Sequence, residues 1–202
     1  MRIVIATLIS VFLFQHNNPP VVKITVAGAL VVEPNATIRY SISVADKEDG
    51  DSKYDEISPN EMLLTAASAA DTASINRMIL HSMMASNCMN CHAFTTKLIG
   101  PSFSDISTRY LSSPDHSLII KHVRQGSKGI WGDIVMPTHS ELTLEETSEM
   151  VKWIVQFNLQ KNVQYFTGRE GMVRVQKPIV LTASYLDHQK SIGVDELIIK
   201  VK

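Results

Sequence analysis

The chain has 202 residues, 45% hydrophobic and 19% charged, with a formal net charge of -1. This is the composition of an ordinary globular protein rather than a disordered or membrane-filling one, and its length holds one large domain or two small ones. The near-zero charge and the lack of a long basic run argue against a nucleic-acid binder, which would display a clustered Lys/Arg face.

Arg2 is followed by an apolar run from Ile3 to Phe14. Its length suits the central region of a signal peptide and falls short of a membrane span. Residues 1–18 are therefore expected to be a signal peptide, and export follows from that. The segment Gln15 to Pro20 offers no A-x-A cleavage triplet, so a buried strand or an uncleaved anchor is the alternative, and a membrane enters only in the second case. After Pro20 the pattern has period two. Val22, Ile24 and Val26 alternate with polar residues, and Ile38, Tyr40, Ile42 and Val44 do the same more clearly, predicting two half-buried strands. The acidic stretch Asp46 to Asp51 reads as a solvated turn, with calcium binding as the alternative, since its spacing is not that of an EF-hand loop. Glu61 to Thr65 is a candidate third strand.

From Asp71 the signal is helical. Ile75, Met78, Ile79 and Met83 predict an apolar stripe along a helix leading to Cys88. Phe103 to Leu111 reads as a short helix, and Ser113-Pro114-Asp115 as the start of another that Gly126 ends. Gly126 to Pro137 contains three glycines and predicts a loop shaped around something. Thr143-Leu144-Glu145-Glu146 is a capping box opening a helix that runs to about Leu159. Alternation then returns through Val173, Val175, Ile179 to Tyr185, and Leu197 to Val201.

The order strands, helices, strands predicts an α+β multidomain protein. Neither strand-rich piece is long enough to stand alone, so residues 19–70 and 161–202 are expected to form one β-sandwich, with a helical domain at 71–160 inserted between two of its strands.

The only cysteines, Cys88 and Cys91, are followed at once by His92. Two thiols on one helical turn beside an imidazole suit a haem held by two thioethers, with the histidine on the iron. Zinc bound by Cys88, Cys91, His116 and His122 would need unusual spacing, and a thioredoxin-like pair would need a βαβ setting that a methionine-rich helix replaces. Met136-Pro137, in the glycine-rich loop, offers a thioether for the opposite axial position. His/Met ligation fills both positions and favours electron transfer over catalysis. A haem enzyme, or a gas or peroxide sensor with an open sixth position, is the alternative.

These residues, together with Leu98 to Phe103, Gly126 to Gly132 and the final helix, resemble class I cytochrome c of the small bacterial c551 type. The resemblance implies an all-α fold over residues 71–160, haem c as cofactor, and a single-haem carrier rather than an enzyme. It also implies that the Pro101 carbonyl accepts the Nδ1 proton of His92 and that Trp131 hydrogen-bonds a haem propionate. Where that family often has an arginine this chain has His122, and where it often has an asparagine after the methionine this chain has His139. Either histidine is expected to titrate near neutrality and to couple protonation to the haem charge. Pro19 to Ile24, Val44 to Asp51 and Leu181 to Asp187 resemble the strands of a PKD-type, immunoglobulin-like domain. Such modules accompany cytochrome c domains in bacterial quinoprotein sugar dehydrogenase-like proteins. The resemblance thus implies a periplasmic carrier that exchanges electrons with partner proteins, a quinoprotein sugar dehydrogenase among them.

Overall fold

The computed structural model describes residues 17–202. All but the last two residues of the expected signal peptide or anchor lie outside them. Among the described residues no helix is long and apolar enough to cross a membrane.

The chain begins with β1 (Val21–Ala27), the short β2 (Val31–Val32), the long β3 (Ala36–Asp46), β4 (Gly50–Asp51) and β5 (Leu63–Ala67). Helices follow: α1 (Arg77–Ala85), α2 (Phe103–Tyr110), α3 (Ser117–Gln125) and α4 (Leu144–Val155). The chain then returns to strands in β6 (Gln164–Thr167), β7 (Glu170–Val175), β8 (Ile179–Leu186) and β9 (Ile192–Val201).

One sheet centres on β3, which pairs antiparallel with β1, β4 and β7. A second runs in the order β2, β9, β8, β5, β6. Strands from both sides of the helical segment therefore share each sheet. Ile38 pairs with Val173 in the first, and Leu64 pairs with Phe166 and Ala183 in the second. Period-two patterning explains how the sheets meet. Ile38, Tyr40, Ile42 and Val44 of β3 form a common core with Leu64, Leu181, Ala183, Tyr185 and Ile199 of the other sheet.

β8 departs from alternation. It is buried along both faces from Ile179 to Tyr185, because the helical segment covers its outer side. Leu63 and Ala67 of β5 and Tyr165 of β6 belong to the same apolar cluster as Leu80, Met83, Phe94, Phe103, Trp153 and Phe157. Tyr165 packs against Phe94, Trp153 and Phe157 with ring centroids 5.3, 5.5 and 5.9 Å away. The helical segment is thus seated on the sheet rather than hung from it.

Three local expectations are corrected. The third strand starts at Leu63, not Glu61, because Pro59–Glu61 forms a 3-10 turn closed by a Ser58/Glu61 capping box. In α1 the buried face is Leu80, His81, Met83 and Met84, whereas Met78 is 50% exposed; the helix is wedged between sheet and α4, and a histidine fills a position that an apolar stripe would not mark. The third helix starts at Ser117, since the Asp115 carboxylate accepts from both the amide and the hydroxyl of Ser117.

The acidic turn has internal work for its carboxylates. Asp46 Oδ1 accepts from the amides of Glu48 and Asp49 at 2.8 and 2.7 Å. Asp49 accepts from the Tyr185 hydroxyl and the His188 amide and pairs with the His188 ring at 3.0 Å. Among the described residues no group of three or more His, Cys, Asp or Glu side chains is arranged to hold a metal ion.

Candidate functional site

Helix α1 ends at Ala85, and Asn87 turns the chain with φ 60° into a 3-10 turn, Cys88–Asn90. The Cys88 carbonyl accepts from the amides of Cys91 and His92 at 3.2 and 2.9 Å, and the Cys91 carbonyl from Gly100 at 2.8 Å. This closed loop sets both sulfurs and the imidazole along one wall of a cleft. Both cysteines are free thiols. Burial, with smaller contributions from Glu141 and Cys91, pushes the Cys88 thiol up to about 11.

His92 Nδ1 lies 2.6 Å from the Pro101 carbonyl oxygen. A carbonyl can only accept, so Nδ1 carries the proton and Nε2 the lone pair. Burial lowers the pKa of the ring and outweighs the opposing effect of Pro101, keeping the imidazole in the neutral form a metal needs. Phe103 stacks on it at 5.8 Å with planes 13° apart. Gly100 lies against the ring: a Cβ there would be 2.6 Å from His92 Cε1.

The opposite wall is the glycine-rich loop. Met136 and Ser127 form an isolated antiparallel bridge, with N–H···O distances of 2.9 and 3.1 Å. Gly126, at φ +76°, allows it, since a Cβ there would meet the Met136 carbonyl at 2.8 Å. His139 N donates to the Val123 carbonyl and the Thr138 hydroxyl to that of Arg124, tying the loop to α3.

The cleft is lined by Cys88, Cys91, His92, Pro101, His122, Trp131, Met136 and His139, all eight of the residues singled out by sequence, with apolar neighbours such as Ile99, Ile119, Val123 and Ile154. His116, the other zinc candidate, is not among the lining residues. Burial and then Lys121 hold His122 below the usual histidine range. His139 Nδ1 pairs with Glu141 at 2.9 Å.

Two neighbours of the site carry no sequence signal. Arg109 places its guanidinium 4.7 Å from the centroid of Trp131 and donates to the Ile130 carbonyl at 2.9 Å. Asn60, from the strand-built part, donates to Asn90 Oδ1 at 2.8 Å. Both contacts span loops whose pairing depends on tertiary structure.

The donor set suits haem c. Two thiols are available for thioethers, a neutral imidazole presents its Nε2 lone pair, a thioether sulfur lines the same cleft, and apolar side chains line the space around them. The family and sequence comparisons point the same way. The cytochrome c family profile matches residues 81–158. Cytochrome c-551 of Pseudomonas denitrificans is 38% identical over 69 residues, covering 34% of this chain and 83% of that protein. Cytochrome c-552 of Nitrosomonas europaea is 31% identical over 70 residues, covering 34% of this chain and 68% of that protein. The crystal structure of wild-type Nitrosomonas europaea cytochrome c552 superimposes with a TM-score of 0.36 at 29% identity, over 37% of this chain and 94% of that one.

Proposed function

Through residues 81–158 the chain belongs to the cytochrome c family of haem c electron carriers, and on that premise we propose that it is a His/Met-ligated carrier whose haem is attached at Cys88 and Cys91. When bound, haem c supplies a one-electron iron couple. The observation that carries the ligand assignment is the lining of one cleft by His92 and Met136, each backbone-fixed from a different side.

His92 offers Nε2, oriented through Nδ1 and Pro101, and Met136 offers a soft sulfur that favours the ferrous state. Trp131, braced by Arg109, serves the propionates. His122 and His139 line the cleft, where a proton on either adds positive charge and favours the reduced form. The reduction potential then falls as pH rises through the titration of His122, which burial and Lys121 hold below the usual histidine range rather than near neutrality. A potential that stays flat with pH in both the wild type and His122→Asn would remove His122 and His139 from this role.

The mouth of the cleft exposes Ile99, Ile134 and Val135, 53 to 62% accessible, a surface suited to brief docking of a redox partner. The partner favoured here is a quinoprotein sugar dehydrogenase in the periplasm, supported by the apolar run Ile3 to Phe14 and by the PKD-like strand motifs. The same motifs support an immunoglobulin-like sandwich formed by residues 19–70 and 161–202 around a cytochrome domain at 71–160.

Optical spectroscopy tests the ligands. The expected protein holds a covalently bound, low-spin haem with a sulfur-to-iron charge-transfer band when oxidised. Met136→Ala should abolish that band and open the iron to carbon monoxide. A wild-type protein that already binds carbon monoxide would instead favour a sensor or enzyme with an open sixth position.

A further inference from the structure

A side-chain hydrogen bond joins the strand-built part of the molecule to the haem-attachment loop. Asn60 sits in the 3-10 turn Pro59–Glu61, flanked by Ile57 and Met62, both fully buried, and closed by the Ser58/Glu61 capping box. Its backbone is therefore fixed by the sandwich core. Its side-chain amide donates to Asn90 Oδ1 at 2.8 Å, and Asn90 Nδ2 donates in turn to Asn87 Oδ1 at 3.2 Å. Asn90 lies between the two cysteines, and Asn87 is the left-handed residue, φ 60°, that turns the chain from α1 into the loop. The three amides thus link the loop's turning point, its middle and the frame in one chain.

We propose that Asn60 is a positioning residue for the haem site, acting through Asn90 to hold the Cys88–His92 loop against the frame. The sandwich is then part of the redox unit rather than a carrier for it. Within the loop, the bonds to the Cys88 carbonyl are short-range and move together if the turn swings as a body, while the Cys91 carbonyl is held by Gly100 and the Met89 side chain is buried in the apolar cluster below. Asn60 supplies a fixed point outside that body. Without it the loop opens more often, and water reaching the attached edge favours the more highly charged ferric state.

The inference rests on the cytochrome assignment, and the test separates the two. In the haem-loaded full chain, Asn60→Ala should speed amide exchange at Cys91 and His92 by about threefold or more, the scale of one hydrogen bond, and lower the reduction potential. Amides in α4 should be unaffected. Asn60→Gln should restore part of both effects, and Asn60→Ala combined with Asn90→Ala should do no more than Asn90→Ala alone. Unchanged exchange or potential in Asn60→Ala, or additive effects in the double variant, would overturn the clamp. A wild-type protein without covalent haem would overturn the cytochrome assignment itself.

Discussion

His81 Nε2 and Ser184 Oγ meet at 2.9 Å in the interior, although 103 positions separate them in the chain. The pair joins α1 to β8 beneath the helical segment, and His81 is only 2% exposed. Each side chain satisfies a polar group the other would otherwise leave buried and unpaired. Ser184→Ala should therefore destabilise the protein by about 1–3 kcal/mol, measured by urea unfolding, while the conservative Ser184→Thr should retain part of the loss. An unchanged unfolding midpoint in Ser184→Ala would show that the contact is dispensable.

The same histidine sets an acid limit. Burial, and then the charge of Arg77, lower its pKa from 6.5 to about 4. The unfolded chain takes up this proton first. The contribution is fully present above about pH 6.5 and is lost as pH falls toward 4, by up to about 3 kcal/mol. His81→Gln should flatten the decline of stability across that window; a parallel decline in the variant would assign it to other groups.

A second titration has the opposite sign. His188 is raised above 6.5, chiefly by its hydrogen bond to Asp49. Burial opposes ionisation of Asp49, but its hydrogen bonds with His188 and Tyr185 prevail and lower its pKa. The ion pair stabilises the fold most between the two ranges. Its histidine contribution is fully present below pH 6.5 and lost as pH rises through the raised value; its carboxylate contribution is lost as pH falls below the ordinary Asp range. Melting temperatures of wild type and His188→Asn should differ most near pH 5 to 6 and converge in mildly alkaline buffer.

Two glycines guard the ligands sterically. An alanine at position 100 meets a ring already held by Pro101 at Nδ1 and stacked by Phe103, so Gly100→Ala should cost roughly 1–3 kcal/mol and alter the reduction potential. At Gly126 the positive φ with extended ψ adds backbone strain of about 1–3 kcal/mol to contact with the Met136 carbonyl. Gly126→Ala should weaken the sulfur-to-iron band while leaving haem attachment intact. Retention of the full band would mean that the Ser127 bridge does not set the position of Met136.

Arg109 braces Trp131 through its ring face and the Ile130 carbonyl. Arg109→Ala should lower stability by about 1 kcal/mol in guanidinium unfolding. Arg109→Lys should recover less than half of that, because lysine lacks the planar fork.

What sequence could show follows from the range of each interaction. β3 and α4 were legible because their signals are local: alternation at Ile38, Tyr40, Ile42 and Val44, and a capping box at Thr143 and Glu146. The cluster around Cys88 to His92 was legible because the attachment chemistry fixes residue types at adjacent positions. Met136 was legible as a ligand from its place in a glycine-rich loop downstream of the attachment motif, whereas the role of Trp131 needed a family resemblance, since nothing local directs a loop indole inward. Asn60, His81 and Arg109 were illegible for one reason. Each acts on a partner that only the completed fold supplies, and each is a polar residue at a place where pattern alone predicts either core or solvent. The edge strand β6 was missed because its four residues, Gln164 to Thr167, are too few for a period to declare itself.

Ala66 of β5 and Gln164 of β6 are register partners, so everything from residue 67 to residue 163 leaves and returns at neighbouring points of one sheet. In polymer terms the haem-binding segment is the loop of an oversized hairpin, and its compaction removes most of the closure entropy that β5 and β6 would otherwise face. Pairing of β6 with β5 is therefore favoured once the helical segment is compact.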